Sequence, residues 1–271
     1  MEEKSKSYSP AKTIKKVFRL LEALGEKQPA KPSELTQKLS MTRSNLYRLL
    51  ATLKEMGYVE NTSDSKYILS VKMFMLGSAV LELKQLPHIV RPFMAHLAEI
   101  SHENVNLAVM YEYQVLYVDK IESPHYLKLD QPIGKTDPLY CTALGKALLT
   151  GLSDLQLEVF LKSTNLIAYT RNTITDPEVL TGVIQSVRRQ GYATDFEELS
   201  EGIHCISAPI RDHTNGIIAA ISVSGPAVRL TKAKVEQLKA PIMEAAAEAS
   251  RKMGFTNSSM NQQVAMGKAK K

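Results

Sequence analysis

Arg43, Ser44, Asn45, Tyr47 and Arg48 fall within one short stretch, MTRSNLYRLLATLKEMG, running from Met41 to Gly57. Each carries a side chain that can bond to a phosphate oxygen or a base edge, and Arg with guanine and Asn with adenine are the bidentate pairings of sequence readout. The element that must hold them is an α-helix. Leu46, Leu49, Leu50, Leu53 and Met56 recur at helical spacing and form an apolar face opposite the polar set. Thr42 suits the N-cap, since its hydroxyl can accept from a first-turn N–H, and Gly57 suits the left-handed residue that stops a helix.

A bundle helix with a solvated polar face would show the same stripe, so the neighbourhood decides. Upstream, Ile14, Val17, Phe18, Leu21 and Leu24 make one helical stripe, and a shorter helix from about Ser33 turns Leu35 and Leu39 inward. A tight turn at Ser40 and Met41 follows. Downstream, YVENTSDSKYILS places a polar turn at Asn61 to Ser65 between two strand-like runs and sets Lys66 beside a phosphate backbone. Helix, helix, turn, helix and hairpin is the order of a winged helix-turn-helix. Charge agrees with this: residues 1–80 hold 14 Lys and Arg against 8 Asp and Glu, while residues 81–271 hold 20 of each, so the whole net charge of +6 lies on the first segment. Localised cations are the footprint of phosphate neutralisation, although a basic arm with Lys4, Lys6, Lys12, Lys15 and Lys16 would raise charge without DNA.

The remaining chemistry-bearing residues exclude more than they offer. Cys141 and Cys205 are far apart, and the six histidines form no HxxxH or HExxH, so no metal ligand set is legible and no cofactor is expected. IGKTD resembles the end of a phosphate-binding loop, but Leu129 stands where that motif needs a glycine. No GxSxG elbow is present, so nothing points to an enzyme. No apolar run approaches the roughly 20 residues of a membrane span, and MEEKSKSYSP lacks the apolar centre of a signal peptide; the expected compartment is the cytoplasm.

The chain of 271 residues, 44% of them hydrophobic, is long enough for two cores. We place a DNA-binding domain at 1–71, a linker helix at 72–86, a second domain at 87–255 and a disordered tail at 256–271. Met73, Phe74, Leu76, Val80, Leu81 and Leu83 give a helix apolar on more than one side, suited to a dimer contact, and Pro87 and Pro92 mark breaks. From Asn104 the period changes to alternation, giving two antiparallel strands joined near Glu112 and Tyr113, with YLKLDQ as a third strand. Helices follow at Thr142 to Thr150, Asp154 to Lys162 and Asp176 to Gln190. GIHCISAPI and GIIAAISVSG flank a turn at Asn215 and Gly216, and a long helix beginning near Thr231 closes an α+β fold with an antiparallel sheet.

RSNLYRLLATLKEMGYV, IGKTDPLYCTALGKALL, GYATDFEELSEGIHCISAPI and AAISVSGP together give the chain a specific likeness. From about Lys12 to Phe255 it resembles the IclR family of bacterial transcription regulators, and KIES, YLKL and IGKTDPLYCTALGK look most like the branch that answers to 2-keto-3-deoxygluconate. The resemblance implies a winged helix on operator DNA, a GAF or profilin-like domain binding a small organic acid, and a homodimer or a tetramer built as a dimer of dimers. It implies DNA contacts at Thr42, Arg43, Ser44, Asn45, Tyr47, Arg48 and Lys66. It also implies an effector pocket lined by Leu129 on the third strand, by Thr142, Ala143 and Leu144 at a helix start, and by Asp195, Cys205, Ser222 and Ser224.

The chain departs from the family pattern at four positions, one of which, Asp137, joins the implied pocket. Asp137 stands where an apolar pocket residue is usual and His204 where Arg is, while Arg43 and Asn45 replace Lys and Thr. An added carboxylate argues for a more hydroxylated ligand, since sugar hydroxyls can donate to it. Without the resemblance, Cys205 reads as a core cysteine and the two serines as a strand edge. A second reading, a small-molecule enzyme or sensor with a protein-binding N-terminal module, predicts exposed apolar anchors where Arg43, Asn45 and Arg48 stand. Repression is the expected mode of regulation.

Overall fold

The computed structural model describes residues 11–77 and 81–255 and divides into two compact units, Met1–Leu81 and Glu82–Lys271. Lys4 and Lys6 of the basic arm, Val80 and the tail at 256–271 lie outside the described residues, as do the side chains of Leu81 and Leu83.

The first unit runs α1 (Lys12–Glu26), α2 (Pro32–Leu39), α3 (Arg43–Glu55), β1 (Val59–Asn61), β2 (Tyr67–Leu69) and α4 (Val71–Gly77). Leu20, Leu24, Leu35, Leu46, Leu49, Leu50, Leu53 and Val59 form its core. Ser40, at φ 50°, turns the chain between α2 and α3, and Thr42 caps α3 by accepting from the Asn45 amide at 3.4 Å. β1 and β2 form an antiparallel hairpin, which Ala30 extends through paired amide bonds with Tyr67. Two readings need correction. Met56 is 52% exposed, because α3 ends at Glu55 and Met56 is its C-cap. Ile14 and Phe18 are also exposed; α1 buries Leu20, Leu21, Ala23 and Leu24, so only its later turns cover the core.

The second unit opens with α5 (Leu81–Ser101), which continues through Pro87 and Pro92 where breaks were expected. Leu86, Val90, Met94 and Leu97 bury one stripe along it, and such tertiary packing outweighs the lost backbone bonds. β3 (Asn104–Tyr111) and β4 (Gln114–Ile121) then pair across Glu112 and Tyr113, both at positive φ. β5 (Thr136–Pro138), α6 (Ala143–Leu149), α7 (Asp154–Ser163) and α8 (Pro177–Gln190) follow, then β6 (Ala193–Phe196), β7 (Ile203–Arg211), β8 (Ile217–Pro226) and α9 (Lys232–Lys252). The sheet is antiparallel throughout, in the order β5-β4-β3-β8-β7-β6. YLKLDQ is irregular, so the third strand is β5, and Leu129 lies on a loop.

Side chains alternate across this sheet and so divide it into two faces. Val105, Leu107, Ile206, Ile221 and Val223 face α5 and α9 in one core, while Ala108, Val115, Ala193 and Ala220 face α6, α7 and α8 in the other. Along β3 and β8 the second face changes from Ala108 and Ala220 to Asn106, Ser222 and Ser224, so its apolar packing gives way to polar groups. All seven residues of α6 are buried beside this transition. A Cβ at Gly145 would stand 2.1 Å from the Leu139 carbonyl oxygen, so only glycine lets the helix and the preceding turn approach this closely.

Gly145→Ala is therefore expected to cost about 3 kcal/mol, the upper part of the usual overpacking range. Thermal unfolding of the full chain should show the second unit melting roughly 10 °C lower. An unchanged transition would mean that this approach does not constrain α6.

Candidate nucleic-acid interface and ligand cavity

The polar start of α3 and the tip of the β1–β2 hairpin share one groove. Arg43 and Tyr47 line it with Lys31, the N-cap of α2, with Ser33 and Thr36 from α2, and with Asp64 and Ser65 from the hairpin turn. Arg43, Ser44, Tyr47 and Arg48 are exposed, Asn45 is half-buried, and Arg48 Nη2 donates to Asn45 Oδ1 at 3.3 Å. That bond orients the Asn45 amide on the exposed side of the helix. Arg43 is exposed and has no partner among the described residues. The Thr42 hydroxyl oxygen accepts the helix-cap bond, which leaves its O–H to donate.

Lys66 differs from expectation. Its Nζ stands 2.7 Å from Asp64 Oδ2, and Thr62 Oγ1 donates to the other Asp64 oxygen. Lys66 first and Thr62 second hold the Asp64 carboxyl down to about 2. The hairpin cation is thus already paired with a carboxylate, a contact of which sequence spacing gave no sign.

The nine residues assigned to an effector pocket come together in the second unit. Leu129, Asp137, Thr142, Ala143, Leu144, Asp195, Cys205, Ser222 and Ser224 all line one cavity of about 480 Å³. β8 and β7 supply Ser222, Ser224 and Cys205, β6 supplies Asp195, and the start of α6 supplies Thr142, Ala143 and Leu144. Thr142 caps α6 by accepting from the Gly145 amide at 3.0 Å, which leaves the Ala143 and Leu144 amides without an intrahelical acceptor. Leu129 reaches the cavity from its loop because its carbonyl accepts from Asn104 Nδ2 at 2.6 Å. His204 faces the other side of β7, with Nδ1 2.8 Å from the Leu230 carbonyl oxygen and its ring edge-on to Phe196.

Sequence reasoning passed over Asn106 and Tyr117, which also line the cavity, together with Lys128, Gln131 and Lys135. The alternation that set out β3 and β4 carried the signal for the first two. Counted from the apolar Ala108 and Val115, it places Asn106 and Tyr117 on the same face as the serines.

Burial dominates the electrostatics. It pushes the Asp195 carboxyl up to about 7, against the Glu198 amide, which donates to Asp195 Oδ1 at 2.7 Å, and the Lys146 cation. Lys146 on α6 is only 2% exposed and is ion-paired to Glu198. Burial also raises the Glu198 carboxyl and the Cys205 thiol, and lifts the Cys141 thiol to about 12, so neither cysteine is poised as a nucleophile. Asp137 accepts from the Tyr117 hydroxyl at 3.0 Å and is ion-paired to Lys135 at 3.2 Å, so its carboxylate faces the cavity held between a phenol and a cation. Among the described residues no three His, Cys, Asp or Glu side chains gather as a metal site, and no helix is long and apolar enough to cross a membrane.

Comparison with known proteins bears on both units. Residues 13–63 match the IclR helix-turn-helix domain, and residues 78–251 match the C-terminal domain of the bacterial transcriptional regulator IclR. The HTH-type transcriptional regulator KdgR of Escherichia coli is 35% identical over 244 residues, spanning 90% of this chain and 93% of that protein. The transcriptional repressor IclR of the same organism is 33% identical, with 80% of each chain covered. The crystal structure of the Thermotoga maritima IclR superposes with a TM-score of 0.76 at 33% identity, covering 90% of this chain and 99% of that one. With both units matched by the family's two domains and relatives at 33–35% identity covering most of each chain, the chain belongs to the IclR family of bacterial transcriptional regulators.

Proposed function

We propose that this regulator represses genes of sugar-acid catabolism and is released from its operator by a small hydroxylated acid of the 2-keto-3-deoxygluconate kind. The observation that carries the reading is the cavity lining, where Asp137, Asp195, Ser222, Ser224 and Thr142 converge on a space sized for a small ligand. The ligand carboxylate sits against the Ala143 and Leu144 amides, where the α6 dipole and unpaired donors favour an anion. Hydroxyls along the ligand donate to Asp137 and Asp195, and the serines donate to its oxygen atoms. Cys205 supplies a small wall. The likeness to a transcriptional repressor supports the sign of regulation.

The chain acts in the cytoplasm as a homodimer, paired further into a tetramer, so that two recognition helices meet two half-sites. Exposed Val71, Phe74 and Leu76 on α4 supply apolar surface for that association. Thr42, Ser44, Tyr47 and Arg48 hold the phosphate backbone, while Arg43 and Asn45 read bases.

Two variants separate these DNA roles. On a duplex selected from random sequences, Arg43→Ala is expected to lose about 10- to 100-fold of its discrimination against random DNA. Equal loss on both duplexes would rule out base readout. Asp64→Asn frees Lys66 and should strengthen binding to both duplexes while steepening the salt slope by about one; an unchanged slope would show that Lys66 meets no phosphate.

Thermal unfolding against a panel of sugar and keto acids tests the cavity. A true effector at about 100 times its dissociation constant adds about 2.7 kcal/mol, and Asp195→Asn should shrink that shift. The unliganded protein offers a second check. Because the folded Asp195 value lies near 7, above its ordinary 3.8, its contribution to stability is complete below pH 4 and fades as pH rises through 7. Asp195→Asn should therefore flatten the loss of stability between about pH 4 and 7, and an undiminished loss would assign the titration to another group.

A further inference from the structure

Two asparagines lie two residues apart on the same face of β3, and they differ in one respect. Asn104 is fully used: its Nδ2 donates to the Leu129 carbonyl at 2.6 Å, and its Oδ1 accepts from the Ser123 amide at 2.7 Å. Asn106 is half used. Its Nδ2 donates to Ser224 Oγ at 2.9 Å, but its Oδ1 is buried with no partner, and the residue is only 1% exposed. Buried side-chain acceptors are rarely left unpaired, and one that is calls for an explanation.

The surroundings supply one. Asn106 lines the cavity and pairs across the sheet with Ser222, whose hydroxyl has no hydrogen-bond partner among the described residues. A buried acceptor and a free hydroxyl thus sit side by side on the cavity floor. An alcohol oxygen satisfies both, donating its proton to Asn106 Oδ1 and accepting one from Ser222 Oγ. A keto oxygen satisfies only the serine, and a methylene satisfies neither.

We propose that Asn106 and Ser222 form a hydroxyl-selective subsite, with Asn106 the residue that makes the regulator prefer hydroxylated acids over plain keto acids. This rests on the cavity being the effector site. Asp137 lies on β5, on the far side of β4, so the subsite selects at a different point along the ligand from the added carboxylate. Sites that pair a ligand hydroxyl with an otherwise buried polar group reject the analogue lacking it far more strongly than an apolar wall can.

The test compares 2-keto-3-deoxygluconate with 2-oxohexanoate, which keeps the six-carbon chain, the carboxylate and the keto group but has no hydroxyls. Calorimetric titration of the full chain should show the sugar acid bound at least 10-fold tighter by the wild type. Asn106→Ala should lower sugar-acid affinity about 10-fold or more and leave 2-oxohexanoate within about 2-fold. Ser222→Ala, which changes volume little, should do the same and serves as the reporter if Asn106→Ala does not unfold cooperatively. Parallel loss of both ligands, or no change in either, overturns the subsite. Equal wild-type affinity for the two compounds overturns it as well, while leaving acid binding intact. If the wild type binds neither, the sugar-acid reading itself fails and the subsite fails with it.

Discussion

The cavity depends on a buried ion pair. Lys146 lies in the middle of α6, a helix with no exposed residue, and its ammonium is neutralised by Glu198 from the segment between β6 and β7. An unpaired cation at such a depth is not tolerated, and removing one member of a buried pair typically costs about 3–5 kcal/mol. The pair therefore ties α6 to the segment after β6, and the Glu198 amide in turn holds Asp195 through its 2.7 Å hydrogen bond. Gly145, next to Lys146, brings the same helix against the Leu139 carbonyl. These contacts fix the helix start, the β6 carboxylate and the polar floor of β8 around one space.

A polar cavity inside a packed domain is costly unless something fills it, since its carboxylates and hydroxyls forgo water without full replacement. Asp195 shows that cost in its raised affinity for protons, and Asn106 shows it in its unpaired oxygen. The hydroxylated acid proposed as effector would relieve both. Relief of this kind is what lets a ligand select one arrangement of a protein, because a ligand shifts an equilibrium only by its differential affinity for the two states. Coupling to DNA is then the reciprocal effect of operator and effector on the same equilibrium.

Much of this was legible in the sequence, and the remainder was hidden for physical reasons. The α3 face with its Thr42 cap, the β3–β4 turn at Glu112 and Tyr113, the helix start near Thr142 and the long α9 follow from periodicity and capping residues, which act locally. The residues gathered at the cavity came from the resemblance, because no local pattern unites Leu129, Thr142, Asp195 and Ser222. β5 was missed because three residues ending in Pro138 carry no alternation, and β6 because four are too few. The prolines of α5 suggested breaks that the buried stripe of Val90, Met94 and Leu97 overrides. The Asp64–Lys66 pair and the idle oxygen of Asn106 are products of tertiary geometry.

The most direct test of the account is the affinity of the full chain for its selected duplex, measured by fluorescence anisotropy with and without saturating 2-keto-3-deoxygluconate. Coupling between two such sites is commonly 1–3 kcal/mol, so the account predicts that the acid weakens operator binding about 5- to 150-fold. An acid that binds the protein yet leaves operator affinity unchanged would contradict it, because the cavity would then hold a ligand without governing the DNA-reading face.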